Sequence, residues 1–183
     1  MPVIKIENCL SESLFEETQS ISKKLLNSGQ NQFTCNLKLW NENIVLDSFP
    51  VLVHTIYDNT KLYGSLRDNI LSVVNAQEKI KEKYGELKIN GHIMLYYWTR
   101  FSYIPWHNDR TYDAALTIYL NDDWDRNYGG YFLYNDENEN EIKAICPNRN
   151  LGVIQYNQVH HCTTPVNFNG GIRYTLQVFF EKT

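Results

Sequence analysis

Residues 171–180 read Gly-Ile-Arg-Tyr-Thr-Leu-Gln-Val-Phe-Phe, GIRYTLQVFF, and their side chains alternate between two kinds of position. The alternation predicts a β-strand whose apolar face is formed by Ile172, Tyr174, Leu176 and Val178. The opposite face then carries Arg173, Thr175 and Gln177. A guanidinium on that face needs an anionic partner, and a carboxylate bound through two parallel hydrogen bonds is the natural match. The alternative is an arginine on the solvated face of an edge strand.

Similar short runs precede this strand along the second half of the chain. Each run is rich in β-branched and aromatic residues, and polar, Asn-rich or Gly-containing turns separate one run from the next. The runs are KINGHIMLYYW (88–98), DAALTIYL (113–120), GGYFLYN (129–135), EIKAICP (141–147), LGVIQYN (151–157) and HCTTPVN (161–167). Together with residues 171–180 they make seven runs, close to the eight short strands typical of a two-sheet jelly roll, the double-stranded β-helix.

The first half of the chain differs, because its apolar residues recur with helical spacing. Residues 13–27 and 60–84 each predict an amphipathic helix, and Ser13 with Glu16 has the spacing of a capping box. The buried stripes would consist of Leu14, Thr18, Ile21 and Leu25 in the first helix and of Leu62, Leu66, Ile70, Val73, Val74 and Ile80 in the second.

These patterns predict a mostly β fold with flanking helices, arranged as one domain over residues 1–183. Residues 1–86 would form a support of helices and short strands, with strands expected at 2–7 and within 33–57. Residues 87–181 would form the jelly-roll core, and the helices would pack on the outer face of one of its sheets. A chain of 183 residues is long enough to bury such a core.

The composition excludes several classes of protein. A net charge of −4 and a pI near 5.7 argue against general binding to nucleic acid, which needs clustered Lys and Arg. No apolar stretch reaches the roughly 18–20 residues of a membrane helix, and the opening MPVIKIENCL lacks a signal-peptide pattern, so we expect a cytoplasmic protein without a membrane partner. Cys9, Cys35, Cys146 and Cys162 are scattered and are expected to be reduced thiols. The sequence leaves the oligomeric state open.

A candidate site begins at residues 105–109, PWHND, where His107 precedes Asp109 by two positions. On a strand, these two side chains would project from the same face. An imidazole and a carboxylate aimed at one point can form an ion pair, part of a hydrolytic triad or two ligands of a metal. Residues further along the chain distinguish these interpretations.

Adjacent histidines at 160 and 161 supply candidates for a third metal ligand. Because neighbouring strand residues face opposite ways, only one of His160 and His161 can point inward. Two histidines and a carboxylate on one face of an octahedral ion leave three positions open, as in the facial triad of non-haem Fe(II) oxygenases. A hydrolytic zinc site can use the same residue types. Arg173 is the argument for iron, since its expected carboxylate partner would be a cosubstrate.

The order of these residues is similar to that of the Fe(II)/2-oxoglutarate-dependent dioxygenases: His-x-Asp, a distal His about fifty residues later, and Arg on the last long strand. Within that superfamily the chain resembles the prolyl 4-hydroxylase group, which includes the oxygen-sensing prolyl hydroxylases. TIYLNDDWDRNYGGYFLYND (117–136) resembles the group's Tyr-Leu-Asn, acidic Trp loop and Gly-Gly strand start, and HCTTPV (161–166) resembles its distal His with Pro four residues on. The resemblance covers about residues 91–180, and a slightly longer loop, VNFNGG (166–171), is a departure.

The resemblance implies a set of metal ligands. Fe(II) would be bound by His107, Asp109 and His161. His161 is preferred to His160 because Pro165 follows it at the spacing of the family.

The resemblance also implies contacts for the cosubstrate. Arg173 would hold the distal carboxylate of 2-oxoglutarate. Tyr97 and Tyr119 match tyrosines that hydrogen-bond to the cosubstrate or line its pocket, and Thr175 is a further candidate on the face of Arg173. For both tyrosines the plain alternative is a core aromatic with a satisfied hydroxyl. O2 would be the second cosubstrate, with ascorbate as an auxiliary reductant.

The implied reaction is hydroxylation of a C–H bond, coupled to conversion of 2-oxoglutarate to succinate and CO2. A prolyl residue in a protein or peptide is the favoured substrate, and a free amino acid or other small molecule is the alternative. A non-catalytic jelly-roll binding module is the hypothesis from another class. Nucleic acid is not expected, because the demethylating branch repeats an arginine at the position of Phe179. The loop residues Asp122, Asp123 and Asp125 predict a preference for basic peptides, and the alternative is that they only solvate a turn.

Overall fold

The fold is seen in a computed structural model, which describes residues 2–29, 32–34, 51–136 and 140–183. Within these residues the helices are α1 (Glu12–Asn27), α2 (Lys61–Asn75) and α3 (Glu78–Tyr84). The strands are β1 (Val3–Ile6), β2 (Gln32–Thr34), β3 (Val51–Ile56), β4 (Leu87–Ile89), β5 (Ile93–Trp98), β6 (Ile104–His107), β7 (Ala114–Tyr119), β8 (Phe132–Asp136), β9 (Glu141–Ile145), β10 (Gly152–Tyr156), β11 (His161–Thr163) and β12 (Arg173–Lys182).

The strands form two antiparallel sheets, which confirms the predicted jelly roll. The major sheet has the order β1-β10-β7-β12-β5-β3-β2, and β4 pairs with the end of β12 beyond β5. The minor sheet has the order β6-β11-β8-β9. Side chains from both sheets line one cavity, so the candidate site lies between the two layers.

The helices cover one face of the major sheet, as the sequence predicted. Leu66, Ile70 and Val74 of α2 are fully buried in the same apolar cluster as Leu95 of β5 and Leu176 of β12. Along each strand, alternate residues join this cluster and the residues between them face the minor sheet. Burying apolar surface contributes about 25 cal/mol per Å², so this layer stabilises the fold.

The predicted helix over residues 60–84 is divided in two. The chain is extended at Gln77, with φ −71° and ψ 120°, between the end of α2 and the start of α3. The side chain of Asn75, the last residue of α2, accepts a hydrogen bond from the N–H of Leu87 and donates one to its carbonyl, each 2.9 Å long. These bonds tie the end of α2 to β4, and the short helix α3 forms the connection.

α1 begins one residue earlier than predicted. Its first residue is Glu12, and Ser11 occupies the N-cap position without a side-chain hydrogen bond. Ser13 and Glu16 therefore lie inside the helix, and the predicted capping box does not form.

The first half of the chain also contributes strands to the major sheet. β1 lies in the predicted 2–7 strand and pairs with β10, while β3 pairs with β5 and with β2. Both β2 and β3 fall in or beside the predicted range 33–57, of which residues 35–50 lie outside the described residues. These strands extend the major sheet at both ends, in addition to the helical support.

Cys9, Cys146 and Cys162 are free thiols, and Cys35 lies outside the described residues. None of the helices in the described ranges has the length and apolarity needed to cross a membrane.

Candidate metal centre and cosubstrate pocket

Two strands of the minor sheet bring two histidines together. β6 ends at His107, β11 begins at His161, and these residues are direct partners across the antiparallel pair. Their ring centroids are 4.2 Å apart. Asp109 lies beyond the end of β6, so it does not share a strand with His107 as the sequence suggested. It reaches the same point from a turn, in which the N–H of Tyr112 donates to the Asp109 carbonyl at 3.0 Å.

The three side chains form a cluster suited to a metal ion. Asp109 Oδ1 lies 3.9 Å from His107 Nε2, and Asp109 Oδ2 lies 3.8 Å from His161 Nε2. One ligand atom from each residue lies within 4.8 Å of the others. Both histidines are buried. These are the three residues that the sequence predicted as iron ligands, and two imidazoles with one carboxylate are a donor set that Fe(II) accepts.

A backbone carbonyl fixes the orientation of each imidazole. Nδ1 of His107 lies 2.8 Å from the carbonyl oxygen of Pro105, and Nδ1 of His161 lies 2.8 Å from that of Val159. Because a carbonyl can only accept, each Nδ1 carries the proton and each Nε2 keeps its lone pair for a metal. Burial, reinforced by the neighbouring His107, lowers the pKa of His161 to about 4, so its ring is neutral at physiological pH.

His160 points away from this cluster. Its side chain is exposed, and its Nε2 lies 3.2 Å from Nδ2 of Asn108 at the surface. The opposite orientations of His160 and His161 agree with the parity expected of adjacent residues in an extended chain.

The guanidinium of Arg173 is buried, as its place on the polar face of β12 predicts. The residue is 1% exposed, and β12 lies between β7 and β5, which excludes the alternative of a solvated edge arginine. Nη1 donates to the carbonyl of Gly130, while Nε has no hydrogen-bond partner among the described residues. The guanidinium carbon lies 4.2 Å from the centroid of the Trp98 ring. Burial lowers the pKa of Arg173 to about 10, so the group is charged at neutral pH and needs an anion.

Tyr119 lies beside Arg173 on β7. Its side chain is fully buried, and its hydroxyl has no partner within the described part of the chain. Burial raises the pKa of Tyr119 to about 12, so the hydroxyl remains a donor. Buried polar groups are normally paired, and a carboxylate would satisfy both Tyr119 Oη and Arg173 Nε. The pocket therefore fits the cosubstrate 2-oxoglutarate that the sequence predicted.

A pair of glycines brings the loop after β7 against Arg173. Gly129 and Gly130 have φ values of +70° and +66°, which favour glycine. A Cβ atom on Gly129 would collide with the carbonyl oxygen of Pro165, and one on Gly130 would lie 3.1 Å from Cδ of Arg173. The N–H of Gly130 also donates to Pro165 O at 3.0 Å. Close backbone approach at both positions thus aims the Gly130 carbonyl at the guanidinium.

Thr175 lies on the same face of β12 as Arg173, as predicted, but its hydroxyl is already engaged. It accepts a hydrogen bond of 2.9 Å from Nε1 of Trp98. This bond fixes the indole ring on which the Arg173 guanidinium stacks. Thr175 is not among the residues that line the cavity, and its contact with the pocket is the hydrogen bond to Trp98.

The structure contradicts the predicted role of Tyr97. Tyr97 is opposite Tyr174 in the β5–β12 pair, so it faces the helices, and its hydroxyl donates to the carbonyl of Ser22 in α1 at 3.2 Å. The β5 residues that line the cavity are Tyr96 and Trp98. A shift of one residue in register exchanges the faces of adjacent residues, and sequence spacing alone did not choose correctly between the two tyrosines.

Gln155 of β10 is a residue of the site that sequence reasoning missed. It is 7% exposed, its Nε2 donates to Asp109 Oδ2, and the same nitrogen lies 3.1 Å from Nε2 of His161. No motif marks it. The signal that was available is a polar residue at an inward position of the apolar run LGVIQYN (151–157).

Comparisons with known proteins agree with this geometry. Residues 91–181 match the model of the 2OG-Fe(II) oxygenase superfamily. A comparison with curated protein sequences gives no match.

Solved structures share the fold over nearly the whole chain. A prolyl-4-hydroxylase from Pseudomonas putida is 12% identical, with a TM-score of 0.77 over 100% of this chain and 93% of that one. A prolyl hydroxylase from Trichoplax adhaerens, in complex with a peptide fragment of the oxygen degradation domain of hypoxia inducible factor, is 17% identical, with a TM-score of 0.76 over 98% and 83%. SnoN, a non-heme alpha ketoglutarate dependent epimerase from nogalamycin biosynthesis, is 9% identical, with a TM-score of 0.71 over 99% and 78%.

The family match covers the strands that carry the His-Asp-His cluster and Arg173, and the fold match covers the strands and helices around them. The chain therefore contains a 2OG-Fe(II) oxygenase domain over residues 91–181, and the protein is a 2-oxoglutarate- and Fe(II)-dependent dioxygenase that resembles the prolyl 4-hydroxylases.

Proposed function

We propose that this dioxygenase hydroxylates a prolyl residue in a protein or peptide. The observation that carries the proposal is the cavity wall formed by Tyr96, Gln177 and Phe179. The hydroxyl of Thr117 donates to Oε1 of Gln177 at 2.6 Å, so the NH2 group of this amide is the part left to bind a substrate. A peptide bond before proline offers a carbonyl acceptor and no N–H, which matches an amide donor in a cavity that the rings of Tyr96 and Phe179 also line.

The similar structures support the proposal at the level of the fold. The Pseudomonas putida and Trichoplax adhaerens proteins are both prolyl hydroxylases, and the second was solved with a peptide. Because their identities to this chain are only 12% and 17%, the choice of substrate rests on the cavity wall described above.

The residues of the site have three roles in the reaction: binding the metal, orienting the cosubstrate and excluding water. When bound, Fe(II) and 2-oxoglutarate supply the oxidising chemistry, in which O2 converts the cosubstrate to succinate and CO2 and one oxygen atom reaches a substrate C–H bond. His107, Asp109 and His161 would hold the metal, while Arg173 and Tyr119 would orient the cosubstrate through its carboxylate. The buried walls of the cavity keep water away from the reacting atoms.

Mass spectrometry of paired peptides tests the proposal. The Fe(II)-loaded protein would be given 2-oxoglutarate, O2 and ascorbate, with proline peptides and matched peptides that carry alanine in place of proline. Only the proline peptides are expected to gain one oxygen atom. Gln177→Leu should raise the KM for the peptide and leave the KM for 2-oxoglutarate unchanged. A protein that oxidises free amino acids and none of the peptides would contradict the peptide substrate.

A small molecule is the second candidate substrate. SnoN, whose fold matches this chain with a TM-score of 0.71, belongs to nogalamycin biosynthesis, so the same architecture also hosts small-molecule chemistry. Including free amino acids in the peptide screen separates the two candidates.

The preference for basic peptides stays a prediction, and the contacts of the loop acids weigh against it. Asp122 forms ion pairs with Lys23 at 3.6 Å and Arg149 at 3.8 Å, and it accepts a hydrogen bond of 2.9 Å from Gln19. Oδ1 of Asp125 accepts from a backbone N–H of the 3-10 turn that follows it. Because two of the three loop acids are engaged within the protein, a basic peptide would have to compete with these partners.

A further inference from the structure

Gln155 is the polar side chain that touches two of the three metal ligands without belonging to the set. Its Nε2 donates to Oδ2 of Asp109 and lies 3.1 Å from Nε2 of His161. Since Nδ1 of His161 carries the proton, Nε2 is the acceptor of this contact, and a metal bound at Nε2 would replace it and leave the hydrogen bond from Gln155 to Asp109. The amide therefore spans the metal cluster from the side of the major sheet.

The backbone holds Gln155 more firmly than it holds Asp109. Gln155 lies on β10, where it pairs with Val3 of β1 on one side and Ala115 of β7 on the other. Asp109 lies in the loop after β6, outside any strand. The backbone of Gln155 is paired on both sides in the major sheet, whereas the backbone of Asp109 belongs to no strand. The Gln155 side chain thus restrains the Asp109 carboxylate from a fixed position.

The bond to Gln155 also distinguishes the two oxygens of the carboxylate. Oδ2 is engaged by the amide, while Oδ1, which lies 3.9 Å from Nε2 of His107, is left for a metal. An uncharged amide donor stabilises the carboxylate through its hydrogen bond and does not compete with a cation for the site, as a lysine ammonium would.

We propose that Gln155 is a positioning residue of the metal centre, which restricts Asp109 to a single metal bond through Oδ1. An octahedral ion has six positions, of which two histidines and one carboxylate oxygen take three. The cosubstrate needs two more, and O2 needs the last. A carboxylate bound through both oxygens would fill that last position, so the Gln155 hydrogen bond keeps the O2 position open. The inference rests on the oxygenase identity of the protein and not on its proposed prolyl substrate.

Metal titration of matched variants tests the proposal without any turnover. Gln155→Leu removes the donor and keeps a side chain of similar size, and its affinity for Mn(II) or anaerobic Fe(II) should fall by about 10- to 100-fold, the usual cost of losing a hydrogen-bond partner of a metal ligand. Gln177→Leu is the control, because it makes the same substitution in the same cavity away from the ligands, and its metal affinity should match that of the unsubstituted protein. Tighter binding by Gln155→Leu would mean that both oxygens of Asp109 bond the metal, which also supports the proposal, whereas an affinity equal to that of the unsubstituted protein would overturn it.

A crystal structure of the Mn(II) complex of Gln155→Leu gives a second measurement. The Asp109 carboxylate should be rotated, either bonding the metal through both oxygens or turned away from it. A carboxylate that keeps one metal bond in an unchanged orientation would also overturn the proposal. If Gln155→Leu does not fold, Gln155→Asn replaces it in both experiments, because the shorter side chain retracts the amide from Asp109 and should weaken metal binding in the same direction.

Discussion

The two faces of β12 contribute different things to the protein. Leu176, Val178 and Phe180 face the helices and are fully buried in an apolar core. Arg173 and Gln177 face the minor sheet and line the cavity that contains the metal cluster. Side-chain parity along one strand therefore separates the residues that stabilise the fold from those that perform the chemistry, and substitutions on the two faces should fail in different ways.

The largest expected effect lies in the cavity, at the metal cluster. His107→Ala, Asp109→Ala and His161→Ala should each abolish turnover and weaken Fe(II) binding sharply, because each removes one of three protein ligands. His160→Ala should leave both properties intact, since this side chain is exposed. Metal titration of the four variants measures their Fe(II) affinity, and 2-oxoglutarate consumption measures their turnover. Loss of metal binding in His160→Ala alone would show that the inner and outer histidines are exchanged.

The next effect concerns Arg173 on the cavity face of β12. Arg173→Lys keeps a positive charge but loses the forked donor, so the protein should need far more 2-oxoglutarate for half-maximal turnover. Arg173→Ala loses the charge as well, and loss of a buried charge pair typically costs about 2–5 kcal/mol, which is roughly 30-fold and upward in affinity. Fe(II) affinity serves as the control and should change little. The assigned role of Arg173 would be wrong if the dependence on 2-oxoglutarate stayed the same.

A substitution on the helix-facing side of the same strand should affect stability instead. Leu176→Ala removes a fully buried side chain from the core between the helices and the major sheet. It should lower the free energy of unfolding by about 2–5 kcal/mol, as measured by denaturant titration. In the folded fraction, the affinity for 2-oxoglutarate should be unchanged. A strong effect on 2-oxoglutarate binding without loss of stability would remove the distinction between the two faces.

Two tyrosine hydroxyls give the smallest and finest test. Tyr97→Phe loses a hydrogen bond to Ser22 O, so it should lower stability by about 0.5–1.5 kcal/mol and leave 2-oxoglutarate binding unchanged. Tyr119→Phe removes a hydroxyl that has no partner among the described residues, so it should weaken 2-oxoglutarate binding and leave stability unchanged or higher. Thermal unfolding and 2-oxoglutarate titration of both variants measure these effects. Weaker 2-oxoglutarate binding in Tyr97→Phe, with unchanged binding in Tyr119→Phe, would restore the role first predicted for Tyr97.

Much of this arrangement could be predicted from the sequence, because period-two alternation is a local property. It placed Arg173, Thr175 and Gln177 on one face of the last strand, and it allowed only one of the two adjacent histidines to point inward. The ordered motif then identified the superfamily, which the family match confirms.

The sequence predicted the site residues wrongly where their position depends on how one strand pairs with another. The choice between Tyr96 and Tyr97 required the β5–β12 register, which places Tyr97 opposite Tyr174 and Trp98 opposite Arg173. Gln155 escaped notice because its partner Asp109 is distant in sequence and glutamine has no motif of its own. Contacts between remote segments are not encoded in the periodicity of either segment.

The glycine pair at 129–130 has a consequence for anyone who wishes to re-engineer this protein. Both residues have backbone angles that favour glycine, and a side chain on Gly129 would strike the Pro165 carbonyl. Variants with other residues at this turn would therefore lose two interactions together, the Gly130 N–H to Pro165 O hydrogen bond and the Arg173 hydrogen bond to the Gly130 carbonyl. Diversity introduced at Gln177 or Tyr96, on strands whose backbone does not depend on the turn, should alter substrate choice while the cosubstrate pocket is retained.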